Sequence, residues 1–251
     1  GCLVRSRLLA AASLLASLAC ADANPGDNAT SIDKEIVVTA THSVTATKTD
    51  NPLIEIPQSI TVVTPQAIKD QGALSMQSAL EYTAGVANAG DDTRGDFNVI
   101  RSFLSVNYLD GLKREFGFVY LPRNEIYTLD RIDVLLGPTA VLYGAGSSGG
   151  LVNMESKRPQ FQFGGEVTAS YGTFDRKQVQ FDVTNALSDT FAFRLVGLYR
   201  DADMQVRYLP DNRRLVQPSI TWKPNDDTSV TLIGLYQHDF TGPSAYDPLA
   251  A

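Results

Sequence analysis

The chain has 251 residues, with 21 basic against 28 acidic side chains and a formal net charge of −7. That balance argues against nucleic acid as a partner, and only two histidines, His42 and His238, speak against an imidazole-rich catalytic or zinc centre. Both cysteines, Cys2 and Cys20, lie ahead of Ala21, so the rest of the chain offers neither a disulfide nor a thiolate metal site.

The opening GCLVRSRLLAAASLLASLAC reads as an export signal. Arg5 and Arg7 give a positive start, residues 8–18 an apolar stretch, and Ala19-Cys20-Ala21 a small-residue cleavage site. Residues 1–21 are therefore expected to be a signal peptide. No later stretch approaches the about 20 consecutive apolar residues of a transmembrane helix. Residues 22–50 are polar, with one exception. Glu35, Ile36, Val37, Val38, Thr39 and Ala40 form a strand-ready hexapeptide in a segment without the periodicity of a packed element. A bare strand edge of that kind invites pairing.

Residues 51–160 form one compositional block. A strand at 59–63 runs into a helix, with Thr64 as a natural N-cap and Pro65 at the first helical position. A second short helix starts at Ser75, places Met76, Ala79 and Leu80 at helical spacing, and finds its stop at Gly85. Short strands broken by glycines follow: NVIRSFL, NYLDGLK, IYTLDRIDVLLGP and AVLYGAGSSGGLVNMESKRP. The block reads as a small mixed α+β domain.

From residue 161 the pattern becomes alternating. Val179, Phe181, Val183 and Leu187 oppose Gln178, Gln180, Asp182 and Thr184; Phe191, Phe193, Leu195 and Tyr199 oppose Arg194 and Arg200; Val216, Ile220 and Trp222 oppose Gln217, Ser219 and Thr221. With GEVTASYG before them and TSVTLIGLYQHDF after, these make about five strands. Strands of ~10 residues with one apolar face, joined alternately by tight turns and a long polar loop, are the signature of an outer-membrane barrel. A soluble β-sandwich with one packed face is the alternative, and Pro218 inside the fourth strand counts slightly against both. Such barrels start at about eight strands, so residues 161–251 are expected to be an incomplete wall and the chain the N-terminal part of a longer protein.

These segments together resemble the TonB-dependent outer-membrane receptors, siderophore type. EIVVTA is similar to their TonB box, IPQSITVVTPQAIKDQGALSMQSALEYTAGV to the opening of their plug domain, and IRSF followed by YLDGL to their Ile-Arg-Gly-Phe region. LDRIDVLLGPTAVLYGAGSSGGLVNMESKRP is similar to the closing plug segment. The resemblance implies a barrel of about 22 strands with a plugged lumen, located in the outer membrane of a Gram-negative bacterium and acting as a monomer without a cofactor. It implies TonB and its inner-membrane energy complex, outer-membrane lipid and a ferric siderophore as partners. It also gives the hexapeptide at 35–40 a role as a strand donated to a partner's sheet edge.

Two positions depart from the family pattern. Ser102 replaces a glycine, so the backbone there is expected to avoid positive φ. Leu136 stands where relatives carry a basic residue that joins the motif arginine, here Arg101, in an ionic cluster with barrel acids. Arg101 alone is left to anchor the plug. The ligand site is expected at the extracellular apices. DTRG resembles a plug loop with a ligand-contacting arginine, which suggests Arg94, and Phe116, Phe118 and Tyr120 align approximately with an aromatic contact of the relatives.

Other readings are weaker. GAGSSG at 144–149 matches a dinucleotide pattern, but a strand rather than a helix N-terminus follows it. RGD at 94–96 is too short to mean adhesion. No nucleophile–base pair or supported acid pair is present, so no enzyme is expected. A signalling receptor would need an extra domain before the box, where only residues 22–34 intervene, and a porin has no plug. A receptor for another ligand, or a non-functional truncated fragment, are the remaining alternatives.

Overall fold

The computed structural model describes residues 42–43, 51–52, 59–88, 95–114, 123–137, 143, 148–204, 209–225 and 227–242. Two short strands, β1 (His42–Ser43) and β2 (Asn51–Pro52), pair antiparallel at the start. β3 (Ser59–Val63) then leads into α1 (Pro65–Asp70). The Thr64 hydroxyl accepts the Ala67 N–H and Pro65 occupies the first turn, as the sequence predicts. In α2 (Met76–Leu80), Ser75 and Ser78 cap each other, a capping box closed by serine rather than the usual Glu or Gln. This helix ends at Leu80, short of Gly85; turns fill residues 81–85, and Gly85, at φ +79°, instead sets the approach to the next strand.

The remaining strands of this region are β4 (Val86–Asn88), β5 (Asn98–Ile100), β6 (Phe103–Leu104), β7 (Val106–Leu109), β8 (Leu112–Lys113), β9 (Leu129–Leu136) and β10 (Gly150–Ser156). They form a five-stranded sheet in the order β3-β9-β10-β7-β8, parallel only between β10 and β7, and a small sheet β4-β5-β6. Ile68, Met76, Ala79 and Leu80 pack from the helices onto Val63, Ile132, Val134, Val152 and Met154. Val106, Tyr108, Leu135 and Leu151 form a second core cluster. β10 starts on two glycines for a steric reason. A Cβ at Gly149 would lie 2.0 Å from the Ile100 carbonyl oxygen, and one at Gly150 2.1 Å from that of Leu135. The strand that follows them pairs on both edges, as the sequence reading against a nucleotide loop requires.

Ser102 corrects one expectation. It adopts φ 69° after Arg101 at φ 50°, because Ile100 pairs with Phe103 and only two residues are left to turn the chain. A two-residue hairpin whose twist matches its strands needs positive φ at both central positions. The serine therefore keeps a backbone suited to glycine, at a steric cost. Asp110 and Gly111 turn β7 into β8 in the same way, at φ 51° and 78°.

The second region is an open antiparallel sheet of β11 (Gly164–Tyr171), β12 (Lys177–Ala186), β13 (Phe191–Asp201), β14 (Asp211–Asn225), β15 (Thr228–Ile233) and β16 (Tyr236–Thr241). β15 and β16 both pair with β14 and together make the expected fifth strand, interrupted at Gly234 and Leu235. Pro218 explains the break. Its carbonyl accepts the Gly234 N–H at 2.9 Å, so its missing N–H faces the same side. The ladder therefore lapses there while the pairing with Leu195 on β13 continues.

Burial in this sheet is inverted. Gln178, Asp182, Thr184, Arg200, Arg213, Gln217, Ser219 and Thr221 are buried, whereas Val179, Tyr199, Val216, Ile220 and Trp222 on the opposite face are exposed. A water-soluble sandwich would bury the apolar face. An apolar exterior around a polar interior is the barrel arrangement, and it decides between the two sequence alternatives. The short connections at 187–190 and 226–227 lie on one rim, and the longer one at 202–210 lies on the other.

Candidate functional site

The six box residues at 35–40, Arg94, Phe116, Phe118 and Tyr120 all lie outside the described residues. The chain that flanks the last four is described, and it converges. Asp96 follows Arg94 by two positions, Arg114 precedes Phe116 by two, and Asn124 comes just after the aromatic segment. Asp96 Oδ2 accepts the Asn124 backbone N–H at 2.6 Å and its Nδ2 at 2.9 Å. The Asn124 Oδ1 accepts from Arg114, and Asn107 Nδ2 donates to the Asp96 carbonyl at 3.1 Å. Burial pushes the Asp96 carboxyl above its usual value, against the opposing effect of the Asn124 hydrogen bonds.

The residues on either side of Asn124 face the other way. Arg123 pairs with Asp211 of β14. Glu125, only 3% exposed at its side chain, accepts on one oxygen from Arg200 at 2.9 Å and from Arg213 at 3.0 Å. Arg213 also grips Asp239 of β16 through two hydrogen bonds of 2.7 and 2.9 Å, and Arg200 donates to Gln178 at 2.7 Å. Arg176 lies 3.8 Å from Asp211 as well, so four guanidinium groups, of Arg123, Arg176, Arg200 and Arg213, meet the carboxylates of Glu125, Asp211 and Asp239, and each charge withdrawn from water has an opposite partner. The cluster sits at the long-loop end of β13 and β14.

A second junction forms lower on the wall. Lys157, one residue past β10, lies 2.7 Å from Asp182 of β12, and Arg194 holds the same carboxylate through two bonds of 2.8 Å. Arg194 also donates to the Arg158 carbonyl, and the Gln160 N–H to the Thr184 hydroxyl. Lys157 further rests on the Tyr127 ring at 4.1 Å.

Arg101, the one anchor expected from sequence, is exposed and forms no ion pair among the described residues. Its guanidinium lies over Gly137, where an added Cβ would sit 3.6 Å away. Leu136 takes up an apolar role instead, packing against the core that holds Ile132 and Val134. Sequence reasoning placed Arg194, Arg200 and Asp182 on the polar face but missed their partners. The available signal was that inward charges must be paired; what pairs them is 75 and 88 residues away for Glu125. Among the described residues no three His, Cys, Asp or Glu side chains converge to hold a metal.

Residues 52–151 match the TonB-dependent Receptor Plug Domain family. The chain carries the plug of a TonB-dependent receptor. The plug and the strands after it are 38% identical over 212 residues to the ferrioxamine receptor of Yersinia enterocolitica, spanning 81% of this chain and 30% of that one. They are 37% identical over 211 residues to the ferrichrome outer membrane transporter/phage receptor of Escherichia coli K12, spanning 80% and 28%. The pyoverdine outer membrane receptor of Pseudomonas aeruginosa PAO1, solved bound to pyoverdine, superposes with a TM-score of 0.73 at 29% identity. That match spans 79% of this chain and 30% of the receptor. The chain therefore covers about 30% of the length of these relatives. The family is one of transport receptors, and the lipid-facing strands behind the plug belong to an outer-membrane barrel of a Gram-negative cell.

Proposed function

We propose that the full-length receptor takes up a ferric siderophore across the outer membrane, driven through TonB and its inner-membrane energy complex. The observation that carries this reading is a plug held by buried ion pairs against the polar face of a barrel wall, in a chain whose relatives are ferrioxamine, ferrichrome and pyoverdine receptors. An open porin has no use for such a plug. The receptor acts as a monomer, needs no resident cofactor and catalyses no reaction; the iron is cargo. Glu35, Ile36, Val37, Val38, Thr39 and Ala40 donate a strand to TonB, and Arg94, Phe116, Phe118 and Tyr120 contact the chelate, with guanidinium and aromatic faces suited to a polar, anionic ligand.

Backbone hydrogen bonds supply the affinity of an added strand, so Val37→Pro, which removes a donor and fixes φ, is expected to abolish energised uptake. Val37→Ala keeps the donor and is expected to be tolerated. Both variants should still bind iron-labelled ferrichrome or ferrioxamine B at the surface of whole cells. Normal accumulation by the proline variant would sink strand donation. Absence of binding to either chelate by the unmodified full-length receptor would sink the siderophore assignment.

A further inference from the structure

Every second side chain of the wall faces lipid, and the strand pairing sorts these positions into rows. The row nearest the long-loop rim carries Lys177 opposite Asp201. The next carries Val179, Tyr199, Arg214 and His238. Below it lie Phe181, Gly197, Val216 and Tyr236, and the row nearest the short turns holds Phe191 opposite Trp222. The ionisable residues on the lipid side of β11–β16 therefore all fall in the two uppermost rows. The rim with the longer loops is the outer one in such barrels. With a rise of about 3.3 Å per residue and a tilt of about 40°, Arg214 stands about 20 Å above Trp222, near the top of an apolar band about 25 Å tall. That is the depth at which acyl chains give way to headgroups in the outer leaflet.

Arg214 and His238 stand directly opposite each other on β14 and β16, and both are exposed. The Arg214 guanidinium lies over the Tyr199 ring, 5.7 Å from its centroid. This cation–π contact holds the head group in place while leaving its N–H edge open. Neither Arg214 nor His238 meets a carboxylate or a hydrogen-bond partner among the described residues. Lys177 differs, since its ammonium lies 2.7 Å from Asp175 and it faces Asp201 across the strand pair. In a chain of formal net charge −7, the protein thus leaves one lipid-facing cation without an anion of its own. A further strand pairing with the free edge of β16 would use backbone groups in the plane of the sheet, so His238 would still face lipid.

We propose that Arg214 and His238, backed by Tyr199, bind a phosphate group of a phosphorylated glycolipid in the outer leaflet. The planar guanidinium fork suits two phosphate oxygens, and an imidazole N–H from the neighbouring strand reaches a third. The occupant is a lipid rather than a free ion because the next row down is apolar. Val216 and Tyr236 sit directly beneath the two donors and are exposed, so a headgroup held above them lays its acyl chains on that surface. Asp201 lies one row further out and is turned to Lys177, which keeps it from competing for Arg214. The inference concerns the membrane side of the wall and does not depend on which cargo the receptor carries.

The full-length receptor, purified in detergent and checked for heat-modifiable folding, would be titrated with bis-phosphorylated lipid A and with fully dephosphorylated lipid A, and bound lipid counted by native mass spectrometry. The unmodified receptor is expected to prefer the phosphorylated form about ten- to a hundred-fold, the range for hydrogen bonds to a charged group. Arg214→Gln with His238→Gln is expected to erase that preference, and Lys177→Gln to leave it intact. No preference in the unmodified receptor, or one that survives the double variant, would overturn the proposal. So would an equal loss in Lys177→Gln, which would mean diffuse attraction rather than a site. Displacement of the lipid by millimolar inorganic phosphate would overturn the lipid as occupant and leave an ion site. Should the double variant not assemble, Arg214→Lys keeps the charge without the fork and is expected to lower the preference several-fold; an unchanged preference would again overturn the assignment.

Discussion

The plug and the barrel wall are built from the same alternating strands but solve opposite solvent problems. In the plug, Ala79, Ile132 and Val134 are fully buried, and Lys69, Asp70, Glu81, Lys113 and Asp130 face outward. In the wall, Arg213 is 2% exposed while Val167 and Tyr171 are more than 70% exposed. Burial alone therefore does not tell a stable core from a misfolded sheet. The meaning of an exposed valine depends on whether lipid or water covers it. Between the two regions lies a third kind of packing, in which paired charges meet across the seam beside a cavity of about 470 Å³.

That seam is the place to break the contrast hardest. Glu125→Ala leaves Arg200 and Arg213 sharing one fewer anion in a buried site, and removing one member of such a set costs about 3–5 kcal/mol. Denaturant titration of plug accessibility in the full-length receptor, read by cysteine labelling at a plug position, should show the plug loosening at lower denaturant. The heat-modifiable barrel should persist. Equal loss of both would mean that the cluster stabilises the wall rather than the junction.

The wall itself can be tested on its lipid face. Leu195 points outward midway along β13, between Val183 and Pro218. Leu195→Arg should cost about 2–4 kcal/mol near the bilayer midplane, measured by urea-dependent folding of the full-length receptor into bilayers. A soluble sandwich would also lose stability, but without any dependence on lipid. Insensitivity to bilayer thickness would therefore count against a membrane-facing assignment.

The smallest expected effect belongs to the plug. Ser102→Gly relieves the left-handed conformation at one hairpin position and should raise plug stability by about 1 kcal/mol. Hydrogen exchange at Phe103 and Leu104 would slow accordingly. A loss of stability would show that the Ser102 side chain makes a contact worth more than the strain.

Most of this architecture could be read before any coordinates. Thr64 and Pro65 announce α1 by local chemistry, and the faces of β12, β13 and β14 follow from a period of two that needs no knowledge of partners. What escaped was long-range or relational. Nothing local to Glu125 marks it as the partner of Arg200 and Arg213. Ser102 misled because residue preference was weighed without the two-residue hairpin that overrides it. Pro218 looked like a defect because its missing N–H could not be assigned to one side of the strand. Attention to Leu136 and Arg101 pointed to the wrong place, since the junction seen runs through Arg123 and Glu125, which no motif singled out.

The lapse opposite Pro218 divides the last strand into two short zippers that keep one common register, Ser219 facing Ile233 on one side of it and Val216 facing Tyr236 on the other. The half formed by β15 begins three residues after the end of β14, at Thr228 opposite Asn225, and needs no further guide. The half formed by β16 lies beyond the interruption, and a slip by one residue would turn every side chain to the wrong medium. Arg213 stands directly opposite Asp239 in that half. Their bidentate pair acts as a key in a lock: only one alignment lets the carboxylate reach the guanidinium from the interior side. A charge pair that helps seat the plug therefore also tells the strand where to stop.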